Sequence, residues 1–299
     1  MSQTQPDDVF DLGLQADLAM WMRTPTDRRR LLKLGAVGIG MVLAGYHGQQ
    51  AAQPAQPAQA ETELLNACVQ IPSETAGPYP ADGSTASSQN LNVLTRSGIV
   101  RNDIRPSLNT SNVATGIPCT VELSLININA NCAPLAGYAV YIWHCTNDGK
   151  YSLYSSGIIN EDYLRGVQAS DSNGKVSFTT IFPGCYAGRW PHIHFEIYPS
   201  LALATGSGNI VHTSQLALPE SSCEQVYATA GYGSSMQNLA ALSIENDNVF
   251  GNDDGVLQIA TVTGDPSTGY TAKLSVGVAG PTVELTETVF LPWTTSAEN

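Results

Sequence analysis

The sequence predicts an all-β protein, a β-sandwich of mixed and antiparallel strands joined by long loops. Short runs rich in β-branched and aromatic residues recur along the chain, and glycine, asparagine and proline separate them. No long stretch beyond residue 60 repeats its apolar residues with the 3.6-residue period of a helix. With 299 residues, of which 42% are hydrophobic, the chain can also bury a large core.

Six segments carry the strand pattern and two glycine-containing segments carry the turn pattern. The predicted strands are Thr120–Ile128, Ala139–His144, Val176–Ile181, His192–Tyr198, Thr271–Val278 and Val283–Leu291. We expect tight hairpin turns at Asn147–Gly149 and Asp171–Gly174, because both supply residues that adopt positive φ. Ala228–Ser243 fits either a short helix or a loop.

Residues 1–60 have the composition of an export signal and a flexible linker, and residues 61–299 are predicted to form a single domain. Three arginines, residues 28–30, precede an apolar run over residues 34–45, and a Gln/Ala/Pro stretch ends at Ala60. The run is short for a bilayer span, which needs about 20 apolar residues. The arginine segment resembles a twin-arginine export signal. This implies a periplasmic or extracellular protein without stable membrane insertion after export, with an uncleaved anchor as the alternative.

The charge balance excludes a nucleic-acid-binding protein. Lys and Arg number 13 against 26 Asp and Glu, which gives a net charge of −13, whereas phosphate contacts need clustered bases. Charged residues make up only 13% of the chain, about half the usual share, which disfavours a coiled coil or a charge-driven disordered protein.

All six cysteines follow the predicted signal, and their even number in an oxidising compartment suggests disulfides whose pairing stays open. They are Cys68, Cys119, Cys132, Cys145, Cys185 and Cys223. Their wide spacing, without a Cys-x-x-Cys pair, disfavours a zinc ribbon.

A His-x-His pair marks the most informative segment. His192 and His194 lie on a predicted strand, so both point to one face while Ile193 points to the other. Two imidazoles one pleat apart can bind one metal ion, although surface or hydrogen-bonded histidines also fit this pattern. Tyr186 precedes the strand by a short glycine-containing loop, and Tyr151 follows an earlier strand and turn. Either phenol could lie beside the imidazoles or pack in the core.

Further motifs accompany these residues in a fixed order between residues 68 and 199. They are Glu74–Tyr79, Arg101–Arg105, Cys132–Leu135, Trp143–Tyr151, Tyr163–Gly166, Asp171–Phe178 and Tyr186–His194. As an ordered set they resemble the intradiol ring-cleavage dioxygenases, in particular the extracellular, protocatechuate-dioxygenase-like branch. Each motif taken alone is weak evidence.

The resemblance implies a non-haem Fe(III) ion bound by Tyr151, Tyr186, His192 and His194, with Arg189 as the active-site arginine. The implied reaction cleaves a catechol-type aromatic between its two hydroxyl-bearing carbons with O₂ and yields a cis,cis-muconate-type diacid. In it the substrate displaces Tyr151, which takes up a substrate proton, and Arg189 stabilises developing negative charge. The partners implied are therefore a small aromatic diol and O₂. Tyr186 stands closer to the histidines than in classical protocatechuate enzymes, which predicts an altered pocket wall.

Two other functions fit parts of the pattern. A non-catalytic, secreted transthyretin-like binding module would keep the sandwich without the chemistry. A zinc or copper hydrolase or oxidase would use the His-x-His pair with a further ligand, for which Glu196 is the near candidate on the same strand face. Arg165 and His144 are candidates for the mouth of the site, and each also fits a structural role.

Overall fold

The computed structural model describes residues 68–86 and 91–281, and within them nine strands form two sheets with few helices. The strands are β1 Pro118–Asn127, β2 Ala133–Pro134, β3 Ala139–Trp143, β4 Arg165–Ala169, β5 Lys175–Ile181, β6 His192–Tyr198, β7 His212–Ala217, β8 Thr261–Asp265 and β9 Gly269–Val278. The α-helices are α1 Glu220–Tyr227 and α2 Ser235–Leu239. Single 3₁₀ turns lie at Ile128–Ala130, Leu201–Leu203, Ser207–Asn209, Ile244–Asn246 and Phe250–Asn252. The predicted all-β sandwich is confirmed.

The two sheets differ in strand direction. In the first sheet β1 pairs in parallel with β9 on one edge and antiparallel with β5 and β2 on the other, and β8 pairs antiparallel with β9. The second sheet, in the order β4-β3-β6-β7, is antiparallel throughout. The sandwich is therefore mixed, as the sequence predicts, with β1–β9 as its parallel pair.

Alternating residues of both sheets form the main core. Val121 and Leu123 of β1 pack in the same apolar cluster as Ile193, Phe195 and Ile197 of β6. Full burial of such a side chain stabilises the fold by about 1.5–3 kcal/mol. The period of two thus directs the even-numbered residues of β6 to the opposite face of the second sheet.

That opposite face is covered by a second apolar layer. Tyr141 and Trp143 of β3 pack there with loop residues that include Val93, Leu153 and Tyr154. Every residue of β6 is consequently buried. Polar side chains on the outer face of β6 are enclosed between the sheet and this loop layer.

Five of the six predicted strands are confirmed within a few residues of their bounds, whereas Val283–Leu291 lies outside the described residues. The sequence missed β2, β4, β7 and β8. Strand β7 was missed because its residues His212–Gln215 are mostly polar, and several of them bond to the N-terminal segment, as Ser214 does to the Pro72 carbonyl. Within Ala228–Ser243, α2 supplies the short helix, and α1 precedes it unpredicted.

The two glycine turns form, but the prediction that they close hairpins is wrong. Gly174 has φ +74° and its N–H bonds to the Asp171 carbonyl, yet this turn joins β4 to β5, which belong to different sheets. Gly149 has φ +83° and its N–H bonds to the Thr146 carbonyl, and this turn leads from β3 into the Tyr151 loop. The first of these turns connects the two sheets, and the second connects β3 to the loop layer that covers the second sheet.

One disulfide joins the N-terminal segment to the sandwich. Cys68 is bonded to Cys132, immediately before β2. The other four cysteines are buried thiols. The export signal over residues 1–60 lies outside the described residues, so it stays a prediction. Among the described residues, no helix has the length and apolar character needed to cross a membrane.

Candidate metal centre and active site

Two phenols and two imidazoles meet on the outer face of the second sheet. The Tyr151 hydroxyl lies 3.4 Å from Nε2 of His192 and 3.4 Å from Nε2 of His194. The Tyr186 hydroxyl lies 3.4 Å from Nε2 of His192, and the two Nε2 atoms are 3.0 Å apart. The structure therefore brings the four predicted metal ligands together.

Strand β6 and its neighbours fix the orientation of the two imidazole rings. Nδ1 of His192 bonds to the Trp190 carbonyl, which makes Nδ1 the protonated nitrogen and leaves a lone pair on Nε2. His194 stacks on Trp143, its cross-strand partner, with ring centroids 4.8 Å apart and planes at 4°. Both rings are thus fixed with Nε2 turned toward the phenols.

A tight turn after β3 places Tyr151. The Lys150 N–H donates to the Thr146 hydroxyl, and the Tyr151 N–H donates to the Ser155 hydroxyl. Tyr151 is 2% exposed, so its phenol stands in a nearly dry pocket. The backbone on both sides of the phenol is therefore fixed by hydrogen bonds.

The Tyr186 loop is tied to that same turn. The Gly184 N–H bonds to the Thr146 carbonyl, and a side chain at Gly184 would meet the Asn147 carbonyl at 2.5 Å. The Cys185 N–H donates to the hydroxyl of Ser235, at the start of α2. Because only glycine permits this approach of the two backbones, Gly184 sets the distance between the two phenol-bearing loops.

The donor set fits one ferric ion. Bonds of about 2 Å to a common centre place neighbouring ligands about 3 Å apart, which is the spacing seen here. Burial, reinforced by the charge of Arg189, lowers the pKa of His192 to about 3, and burial followed by the charge of His192 lowers that of His194 well below its ordinary value. Both imidazoles are therefore neutral and able to bind a metal at neutral pH. Two phenols, which become hard anionic donors when a bound trivalent ion displaces their protons, beside two imidazoles suit Fe(III), unlike the two-His-one-carboxylate set typical of Fe(II) oxygenases.

Arg189 is 1% exposed and forms a buried ion pair. Its Nε donates to Asp247 at 3.0 Å and its Nη2 donates to Gln215 at 2.7 Å. Asp247 also accepts the Trp190 N–H. Burial alone would raise the pKa of Asp247, but Arg189 and this backbone N–H lower it below its ordinary value, so the pair stays charged. The predicted active-site arginine therefore also fastens the Ile244–Asn246 turn to the entry of β6.

The N-terminal motif forms a wall of the site. A side chain at Gly77 would meet Cε1 of His194 at 3.3 Å, and Gly77 has φ +70°. The Tyr79 ring lies 4.8 Å from that of Tyr151 and 5.1 Å from that of Tyr154. The wall beside Tyr151 and His194 is accordingly aromatic and closely packed.

Sequence reasoning missed Gln215 and Asp247 as members of the site. Gln215 is the cross-strand partner of His194, and its side-chain amide donates to the Thr75 carbonyl at 2.8 Å. It could have been found only by predicting β7 and its register with β6. Asp247 lies in an irregular segment about 50 residues beyond the His pair and carries no local sequence signal.

Three other candidates have structural partners instead. Glu196 accepts the Tyr198 hydroxyl at 2.7 Å and interacts with Asp82, and among the described residues no group of three or more His, Cys, Asp or Glu is arranged for a metal. Within the described part of the chain, Glu196 is therefore not placed to be the third ligand that the zinc or copper alternative needs. Arg165 is buried and donates to Ser152 and to the Pro80 carbonyl.

His144, the second candidate for the mouth, is buried between strands. Its Nδ1 lies 2.8 Å from the Cys145 carbonyl and its Nε2 lies 2.7 Å from the Thr180 hydroxyl. Burial lowers its pKa to about 4, so the ring is neutral. His144 therefore joins β3 to the end of β5 and does not face the four-ligand cluster.

An unusual carboxyl group stands behind the N-terminal wall. Burial, followed by the nearby charge of Asp253, raises the pKa of Glu74 from 4.5 to about 7, although Gln258 and Arg189 act in the opposite direction. Oε1 of Glu74 lies 3.5 Å from Nε2 of Gln258. Glu74 thus changes charge near neutral pH, three residues before Gly77.

The chain shares sequence with dioxygenases. Residues 100–193 match a protein-family model described as "Dioxygenase". Chlorocatechol 1,2-dioxygenase from Rhodococcus opacus is 36% identical over 53 residues, 18% of this chain and 21% of the relative. The enzyme of that name from Pseudomonas sp. (strain P51) is 31% identical over 83 residues, 22% of this chain and 33% of the relative. The matches span between a fifth and a third of these curated relatives' length.

The fold of the described residues is also similar to that of a solved structure. A solved intradiol ring-cleavage dioxygenase from Tetranychus urticae superposes with a TM-score of 0.53 and 27% identity, over 71% of this chain and 95% of that one. The described fold is therefore similar to that of a solved intradiol ring-cleavage dioxygenase over most of that protein's length.

The raised pKa of Glu74 predicts a specific pH dependence of stability. The folded chain holds a proton on Glu74 that the unfolded chain releases above about pH 4.5, so this stabilisation is complete below that pH and is lost as the pH rises through about 7. Glu74→Gln removes the titration. Between pH 5 and pH 8 the unfolding free energy of the wild type should therefore fall by about 1–2 kcal/mol relative to that of Glu74→Gln, a figure reduced to allow for the partial exposure of Glu74.

Urea unfolding at the two pH values measures this difference, with Glu224→Gln on the exposed face of α1 as the matched control. The control should follow the wild type. If the unfolding free energies of Glu74→Gln and the wild type changed equally between the two pH values, the raised pKa of Glu74 would be contradicted.

Proposed function

We propose that this protein is an exported non-haem Fe(III) intradiol dioxygenase that cleaves a catechol-type aromatic between its two hydroxyl-bearing carbons with O₂. The observation that carries the proposal is the cluster of Tyr151, Tyr186, His192 and His194, in which four donor pairs are separated by 3.0–3.4 Å. The similarity of residues 100–193 to the dioxygenase model supports the same reaction class. The product proposed is a cis,cis-muconate-type diacid.

The four side chains would hold the ferric ion, which when bound supplies a Lewis acid that activates a catecholate toward O₂. Tyr151 is the proposed proton acceptor, because its hydroxyl lies within 3.4 Å of both imidazoles and its phenolate oxygen can take a proton from a catechol hydroxyl. Tyr186, His192 and His194 keep their places, since the 184–186 loop and β6 fix them.

Arg189 supplies a fixed positive charge beside the imidazoles. Its guanidinium donates to Gln215, the cross-strand partner of His194, so the positive charge lies close to the histidine strand. Asp247 and Gln215 hold the guanidinium in place, so no rearrangement is needed as negative charge develops on a substrate oxygen. We propose this electrostatic role for Arg189, with the ion pair to Asp247 as its support.

The walls of the site favour a flat aromatic substrate. Tyr79 and Trp143 lie against Tyr151 and His194, and Gly77 leaves no side chain over the imidazole. These groups offer ring faces and few charges, which suits a small diol. A non-catalytic binding module would have no need of four donor atoms facing one point, so the structure favours the enzyme.

Iron binding and turnover test the proposal. The purified full chain should bind about one ferric ion, show a tyrosinate-to-iron absorption band and convert catechols to ring-opened diacids in air. Tyr186→Phe removes one anionic ligand and should weaken iron binding by at least about tenfold and remove most of the absorption band.

Tyr138→Phe, the same change at a partly buried tyrosine outside the cluster, is the control and should retain both iron and colour. Protein that stays colourless and inactive after reconstitution with ferric iron would refute the proposal. Equal iron affinity in the two variants would remove Tyr186 from the ligand set.

Export rests on the arginine segment and is proposed with the function. Replacing Arg28 and Arg29 together by lysine should retain the protein in the cytoplasm of a bacterial host, because the twin-arginine pair that the segment resembles would be lost. Arg23→Lys is the matched control and should be exported. Cell fractionation measures the outcome, and equal export of both variants would contradict twin-arginine transport.

A further inference from the structure

An apolar groove of about 620 Å³ lies on the outer face of the first sheet, opposite the face that packs in the main core. Its floor includes Ser124 and Ile126 of β1 and their partners Ser275 and Gly277 of β9. These residues alternate with core residues, so they point away from the sandwich core. The groove is consequently separate from the metal-ligand cluster on the outer face of the second sheet.

Exposed apolar side chains line part of the groove, beside charged and hydroxyl-bearing residues. Its walls include Val69, Val256 and Ile259, which are 49%, 55% and 41% exposed. The hydroxyl oxygen of Ser275 is buried and has no hydrogen-bond partner among the described residues. Exposed apolar side chains beside a buried hydroxyl without a partner suit the docking of an amphipathic segment.

We propose that residues 282–299 of this chain occupy the groove. The described chain reaches one end of it, because the Gly280 N–H donates to the Asn127 side chain and the Asn127 amide donates to the Pro281 carbonyl. Asn127 directly follows Ile126 of the groove floor. The Asn127 side chain is on the core-facing side of β1, so the residues after Pro281 begin at the end of this strand and would pass around it to enter the groove.

The sequence of that segment matches the groove in polarity. Val283, Leu285, Val289 and Leu291 lie two or four residues apart, so an extended segment presents them on one face. Glu287 shares that face, whereas Thr282, Glu284, Thr286, Thr288 and Phe290 belong to the other. Burying the first face on the groove would remove apolar surface of both partners from water.

The groove and the segment are also complementary in charge. Lys175 and Lys273 line it, and the segment contains Glu284 and Glu287 but no lysine or arginine. Lys273 lies four residues before Gly277 on β9, and Glu287 lies four residues after Val283 in the segment. A segment running antiparallel to β9 would thus bring Glu287 to Lys273, which already pairs with Glu122 at 3.1 Å.

Hydrogen exchange on the full chain tests the proposal. Backbone amides of residues 283–291 should exchange at least on the order of tenfold more slowly than in a free peptide of the same sequence. The double variant Leu285→Asp, Val289→Asp should abolish this protection, and Ile259→Asp in the groove wall should weaken it. The opposite-face double variant Thr286→Asp, Thr288→Asp adds the same charge and should keep the protection.

Several results would overturn the proposal. Free-peptide exchange rates for residues 283–291 in the unaltered chain would show that the segment does not bind. Protection that survives both Ile259→Asp and Leu285→Asp, Val289→Asp would place the segment elsewhere. Protection that disappears on dilution would identify a second copy as the occupant, and an amphiphile co-purifying in the groove would identify a small-molecule site.

Discussion

Strand β6 is buried on both faces, and the rest of the site depends on this constraint. Ile193, Phe195 and Ile197 fill the sandwich core, so the period of two directs His192 and His194 to the other face. A one-residue slip in register would exchange the imidazoles with the core residues and expel both sets. The apolar core therefore fixes the position of the polar cluster.

The loop layer over that face keeps the two imidazoles neutral and fixes their orientation. Burial lowers the pKa of both histidines, and the Trp190 carbonyl fixes which nitrogen of His192 carries its proton. Hydrogen bonds between the Thr146 turn and Gly184 join the two phenol-bearing loops to each other. Binding, electrostatics and packing thus depend on one enclosed interface between sheet and loops.

The buried ion pair of Arg189 and Asp247 illustrates the cost of such enclosure. Removing two charges from water is unfavourable, and the pair offsets this through direct hydrogen bonds and the further donors that surround Asp247. Loss of either partner would leave a buried, uncompensated charge. The pair is accordingly better explained as a device that positions Arg189 and the entry to β6 than as a source of stability.

Local pattern was sufficient to predict the fold class and five strands, because the core strands alternate and carry β-branched residues. It failed for β7, whose polar side chains are satisfied by a segment some 140 residues earlier in the chain, as Gln215 is by Thr75. The ordered motifs selected Tyr151, Tyr186, His192 and His194 for one site, and the structure places them together. Asp247 could not be predicted, since its partner Arg189 is 58 residues away and no short-range rule joins them.

The central claim is that these four side chains share one metal ion. Anomalous diffraction at the iron edge, from crystals of the iron-loaded protein, measures this most directly. The account predicts a single strong peak within about 2 Å of both phenol oxygens and both Nε2 atoms. A peak elsewhere in the molecule, or one that touches the histidines but neither tyrosine, would contradict it.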